Sequence, residues 1–169
     1  AIKYICDPDK TEGIFIDSFC CSPETAATEF SLTSDQGHRS KDKGTLAYHM
    51  IQAFKPGEVS AEEAHEIGKE YADAVLQGNH EYVITTHLDR GHIHNHIIFN
   101  AVSYVNHRKY NDCTRARYFR EKTNDKICKE HNLSVIKEKS GMRGSEKYKY
   151  EKNQKETSWK AKLRKVIDD

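Results

Sequence analysis

At 169 residues, 36% hydrophobic and 31% charged, the chain has the length of one domain with a core and is short for two; part of it is expected to be extended surface or tail. No apolar run nears the ~20 residues that a membrane-spanning helix needs, and no secretory signal pattern appears. The net charge of +1 hides a split: residues 1–100 carry 8 Lys and Arg against 16 Asp and Glu, and residues 101–169 carry 19 against 10, which points to a polyanion as partner of the basic half.

In chain order, AIKYICDPDKT (1–11) reads as the end of a helix running into a Pro/Asp turn, and GIFIDSFCCS (13–22) has strand composition. Ser22 is the expected N-cap of a helix over SPETAATEFSL, with Pro23 at its first position and Glu24 in its first turn. Residues 34–44 lack apolar periodicity and form a loop. TLAYHMIQAF (45–54) is a strand closed by KPGE. The next helix has Ser60 and Glu63 as a capping box, an apolar stripe of Ala64, Ile67, Tyr71, Ala74 and Val75, and Gly78 at its end. EYVITTHL and HNHIIFNAVSYV are strands joined by DRGHI, a tight turn. RKYND is a short further strand, ARYFREKTNDKICKEHN a second long helix, and LSVI a short strand. From about residue 139 the chain is polar and basic, a loop followed by a loosely attached terminal helix, so the expected division is 1–138 and 139–169. Five cysteines (Cys6, Cys20, Cys21, Cys113, Cys128) contain no CxxC pair, which argues for a reduced cytoplasmic protein rather than a disulfide framework. Hairpin-linked strands between long helices make an α+β fold, a mainly antiparallel central sheet with helices on one face.

Four of the ten histidines fall within Thr86 to Asn100, at His87, His92, His94 and His96. Side chains alternate along a strand, so His94 and His96 share a face with Ile98 and Asn100, opposite Ile93, Ile97, Phe99 and Ala101, which face the core. His87 ends the neighbouring strand and meets the pair across the ladder. Three imidazoles from adjacent strands form a facial set for a divalent cation, leaving positions that a phosphate oxygen takes. The alternative is a run of ordinary surface histidines. His92 lies at the turn and is expected outside the ligand set, against phosphate. Metal and phosphate still need a nucleophile: water makes a nuclease, and a side chain makes a covalent strand-transferring enzyme. Nine tyrosines are available, and composition does not choose among them.

HLDRGHIHNHIIFN, preceded by YHMIQAFKPGE and by AIKYICDPDKT, resembles the relaxases of mobile elements, specifically the VirD2-like MobP type of the HUH endonuclease superfamily. The resemblance runs in order from Ala1 to about Ile136 and rests on the three motifs together. It implies an HUH relaxase fold with an RRM-like sheet. It assigns the metal to His87, His94 and His96, a ligand-orienting role to Asp89, the nucleophile to Tyr4, a place near the scissile phosphate to His49, and the motif's terminal Asn to Asn100, taken as a DNA contact with His92. Asn95 departs from the apolar residue the family carries between the two histidines. A second departure is that the family's first motif follows a strand, whereas this chain begins at the motif.

The implied activity is a site-specific nick in one strand at an origin of transfer, often beside a hairpin, made by metal-assisted tyrosine transesterification. A 5′-phosphotyrosyl intermediate is later rejoined, which serves conjugative mobilisation of a plasmid or transposon. The implied cofactor is Mn²⁺ or Mg²⁺, with Mn²⁺ the easier choice for imidazoles. Implied partners are single-stranded origin DNA, accessory relaxosome proteins and a coupling protein, in a bacterial cytoplasm. Arg108, Lys109, Arg115, Arg117 and Arg120 are expected on phosphates, with Tyr104, Tyr110 or Tyr118 stacking bases. Competing readings are a rolling-circle replication initiator, where the Tyr follows the His cluster, a His₃-metal hydrolase using water, and a non-catalytic single-strand-binding module.

Overall fold

The computed structural model describes residues 1–37, 44–88 and 91–136. The order of elements is α1 (Ile2–Ile5), α2 (Pro8–Thr11), β1 (Ile16–Phe19), α3 (Ala26–Gln36), β2 (Ala47–Ala53), α4 (Ala61–Leu76), β3 (Tyr82–His87), β4 (His94–Asn100) and α5 (Thr114–Glu130). The four strands form one sheet in the order β1-β3-β4-β2, and every pair is antiparallel. This is the expected α+β sheet, with the β3–β4 hairpin at its centre.

The β-branched and aromatic residues of β3 and β4 are buried along their whole length. One face packs on α4 and α5, where Ile67, Tyr71, Ala72, Val75 and Ile127 meet Ile84, Ile97 and Phe99. The expected helical layer is therefore present. The opposite face is covered as well: Ile5 of α1 and Ala26 and Phe30 of α3 pack on Val83 and Ile98. A strand covered on both faces shows no hydrophobic-in, polar-out contrast, and the alternative of ordinary surface histidines does not hold for His87, His94 and His96, which are buried.

Helix α4 begins as expected, with Ser60 Oγ accepting from the Glu63 amide at 3.2 Å, and ends on Gln77 in the left-handed region. Its buried stripe runs through Ala72 rather than Ala74, which is exposed, because the 3.6-residue period carries the stripe from Ile67 to Tyr71, Ala72 and Val75. Helix α4 approaches the sheet closely at Gly68, where a Cβ would meet Asn95 Nδ2 at 2.4 Å and Ile84 Cδ1 at 2.7 Å.

Three expected elements differ. The helix assigned to Ser22 starts at Ala26 after a turn: Ser22 Oγ donates to Glu24 at 2.6 Å and the Ser22 amide to Glu29 at 3.1 Å, so side chains bridge the turn instead of capping a helix at Pro23. RKYND contributes one isolated bridge, Val102 to Lys109, rather than a strand. LSVI is not a strand either; Leu133 is buried in the core and Ser134 Oγ donates to Glu58 at 2.8 Å. The described chain through Val135 forms one compact unit. The expected boundary at 138/139 and the terminal helix lie outside the described residues. No helix among the described residues is long and apolar enough to cross a membrane.

Candidate metal centre and nucleophile

The register of the hairpin brings the imidazoles together. His87 pairs directly with His94, and His96 lies opposite Thr85, so all three side chains leave the same face. Ring centroids are 4.4 Å apart for His87 and His96, 4.9 Å for His94 and His96, and 5.3 Å for His87 and His94. One ligating atom from each lies within 4.8 Å of the others. The rings are buried, at 2%, 7% and 8% exposure for His87, His94 and His96.

Each ring also has a hydrogen bond on one nitrogen. His87 Nε2 meets the Ile5 carbonyl at 2.8 Å, His94 Nδ1 the His92 carbonyl at 3.2 Å, and His96 Nδ1 the His49 Nε2 at 2.8 Å. A ring nitrogen facing a carbonyl must carry the proton, which turns the lone pair to the other nitrogen. Three imidazole nitrogens on a buried face are a donor set that suits a divalent transition ion. Thr85 Oγ1, on the same face opposite His96, is buried and has no hydrogen-bond partner among the described residues.

The first twelve residues lie over this end of the sheet. Asp7 caps α2 by accepting from the Asp9 amide, Thr11 is fully buried, and the Lys10 carbonyl accepts from the Leu88 amide at 3.0 Å. Together with the Ile5–His87 bond, this places the Tyr4 ring 6.5 Å from the His87 ring, edge on. The other described tyrosines sit elsewhere. Tyr71 and Tyr82 are buried, and burial pushes their hydroxyls up, that of Tyr71 to about 12. Tyr48 and Tyr110 pack on Phe99 on the helix face, and Tyr104 donates to the Gly78 carbonyl at 2.8 Å. Tyr118 is exposed on α5. Tyr148 and Tyr150 lie outside the described residues.

His49 of β2 reaches the cluster through its bond to His96; burial above all, then the amino terminus and His87, holds it below the ordinary imidazole value. His92 stacks on His94 at 5.1 Å. Asp89 lies outside the described residues. Asn95, between the two ligand candidates, points to the helix face and is fully satisfied: it accepts from Thr86 Oγ1 at 2.7 Å and donates to Gln52 at 2.9 Å and to the Ala64 carbonyl at 2.6 Å. The network continues from Thr86 to His65 and from Gln52 to Asn124 of α5. Sequence reasoning missed these partners; their one signal was Gln52 and Asn95 standing at core-facing strand positions.

Asn100 is at 0% exposure and donates to Glu81 at 2.6 Å and to the Phe30 carbonyl at 3.2 Å. A buried amide so engaged holds the end of β4. The basic set does not join the histidines. Arg108 and Lys109 follow the far end of β4, which is roughly 13 Å from His96 at about 3.3 Å per residue, and Arg115 lines a surface cavity with Val75, His80 and Phe119. Arg117 pairs with Glu121 at 3.0 Å. Arg120 is tied to Tyr110 and Asp112 at 3.0 and 2.7 Å.

Residues 4–133 match the family model of relaxases described as MobA/VirD2-like, nuclease domain. Two Staphylococcus aureus proteins named Protein rlx are similar, one 36% identical over 156 residues and one 34% over 148, each covering 88% of this chain and 47% and 44% of its own length. The group II intron-interrupted relaxase LtrB of Lactococcus lactis subsp. cremoris is 31% identical over 166 residues, covering 89% of this chain and 28% of its own length. The chain thus spans less than half the length of these relatives. With the sheet, the three-imidazole cluster and this match across most of its length, the chain belongs to the MobA/VirD2-like relaxase nuclease-domain family.

Proposed function

We propose that this domain nicks one DNA strand at an origin of transfer, with Tyr4 as nucleophile, and later rejoins it. The observation that carries the reading is the closeness of Tyr4 to His87 at the rim of a buried cluster of three imidazoles. Tyr4 Oη bonds to the scissile phosphorus as the P–O3′ bond breaks. The phenol gives up its proton and the departing 3′ oxygen gains one through solvent. One phosphodiester replaces another without consuming water, so the reverse step reseals the strand. His87, His94 and His96 would hold a divalent ion through Nδ1, Nε2 and Nε2, with Mn²⁺ favoured over Mg²⁺ by ligand softness. When bound, the ion supplies Lewis-acid polarisation of the phosphate. His49 orients His96, and His92, stacked on His94, extends the cluster toward the DNA.

Arg108, Lys109, Arg115 and Arg117 are exposed and hold DNA away from the nick, whereas Asn100 is buried and Arg120 half-buried, with their polar groups engaged within the protein. Residues 1–138 act as the catalytic module and 139–169 as a basic appendage. In the whole protein, partners are origin DNA with a hairpin, accessory relaxosome proteins and a coupling protein, and the work is done in a bacterial cytoplasm.

The test is a pool of random-sequence single-stranded DNA, labelled at the 3′ end and incubated with protein and Mn²⁺. A labelled adduct that survives denaturation is expected, and the captured strands give the nick sequence. Tyr4→Phe is expected to lose the adduct and to bind the captured strand nearly as tightly. Nicking by the Phe variant would move the nucleophile to another group, and full release of label from the wild type would favour attack by water.

A further inference from the structure

Tyr4 has a second neighbour besides His87. The Lys10 ammonium lies 3.6 Å from the centroid of the Tyr4 ring, while His87 meets the same ring at 63° between planes. This approach is set by the backbone. The Lys10 carbonyl accepts from the Leu88 amide, and the Ile5 carbonyl, next to Tyr4, faces His87 Nε2. Two consecutive residues at the end of β3 therefore hold the short helix that carries the lysine and the one that carries the tyrosine. Thr11, beside Lys10, is fully buried, with Oγ1 on the Asp7 carbonyl at 3.1 Å, which fixes α2 from beneath.

Tyr4 is 54% exposed on a helix of one turn. A cation over the ring face restricts the rotamers of the side chain and fixes the direction of its hydroxyl. We propose that Lys10 is a positioning residue for the nucleophile: its ammonium clamps the Tyr4 phenol against the His87 imidazole and keeps positive charge beside the phosphate as the aryl ester forms. The inference rests on the strand-transfer reading. In that step the new Oη–P bond forms, the phenolic proton leaves, P–O3′ breaks and the 3′ oxygen is protonated. Electron density rises in the ring beneath the ammonium, where the cation stabilises it most.

Lys10→Met keeps the length of the side chain and removes the charge, and Lys10→Arg restores a cation. With the captured strand at saturation, Lys10→Met is expected to slow adduct formation roughly 3- to 30-fold. Its Kd for the strand and its Mn²⁺ affinity should stay within about twofold of wild type, and Lys10→Arg should recover most of the rate. A lysine needed only for folding would instead lower the unfolding temperature, and the arginine would not rescue the rate selectively. A second measurement needs neither DNA nor metal: a nuclear Overhauser contact between the Lys10 side chain and the Tyr4 ring in the free protein. Absence of that contact, or a Met variant as fast as wild type, overturns the role of Lys10 and leaves the Tyr4 reading standing. A wild type that forms no adduct sinks the strand-transfer reading and this role with it.

Discussion

A metal-binding imidazole has to present one chosen nitrogen, and the partner of its other nitrogen makes the choice. For His87 and His94 that partner is a backbone carbonyl, which no side-chain substitution removes; for His96 it is the His49 ring. A graded outcome follows. His94→Ala is expected to weaken Mn²⁺ binding more than about 100-fold and His49→Ala about 10- to 100-fold, as lost ligands and lost orienting partners usually do. Isothermal titration with the metal alone reads both, and a His94→Ala variant that binds like wild type removes the metal centre. The spacing of His94 and His96 and the place of His87 were legible in the sequence because they need only strand alternation and a hairpin. The surroundings of Asn100 were not legible. Its polar side chain shares the parity of the histidines, and only the fold shows that Glu81 and Phe30 enclose it.

Between elements, one amide does much of the joining. Asn95 ties β4 to β3 through Thr86, to β2 through Gln52 and to α4 through the Ala64 carbonyl, beneath a glycine that lets the helix come close. Replacing it by the apolar residue that the resemblance implies at this slot leaves several buried groups one bond short. Asn95→Leu is therefore expected to cost about 2–4 kcal/mol in urea unfolding, and a variant as stable as wild type would show the network to be idle. Helix α4 and the central hairpin were readable in advance from a capping box, a glycine stop and β-branched runs. The start of α3 was not. Pro23 and Glu24 fit a first helical turn equally well as the bridged turn that forms, and Glu29, seven residues beyond Ser22, decides between them.

Across the molecule, burial has a cost in acid. His65 and His80 are both buried, and desolvation holds each imidazole below its ordinary value of 6.5. The unfolded chain then takes up these protons first, so unfolding gains on folding as the pH drops below 6.5, and the loss is complete once the folded values are passed. The unfolding temperature is expected to fall from there toward about pH 5, less so in His80→Gln; scanning calorimetry at several pH values reads it, and a flat profile contradicts it. The antiparallel architecture was legible because strands joined by short turns have few alternatives. The second covered face was not, since α1 and α3 reach it through contacts such as Ile5 on Val83 and Ile98 that no local pattern announces.

The bond from His87 to the Ile5 carbonyl spans 82 positions of the chain. Tyr4 precedes the whole cluster in the chain, and its seat exists only after the last histidine has followed and the central hairpin has closed. Contacts of such long range form late, since loop closure must come before them. On the strand-transfer reading proposed above, nascent and misfolded copies carry the phenol without the means to cut.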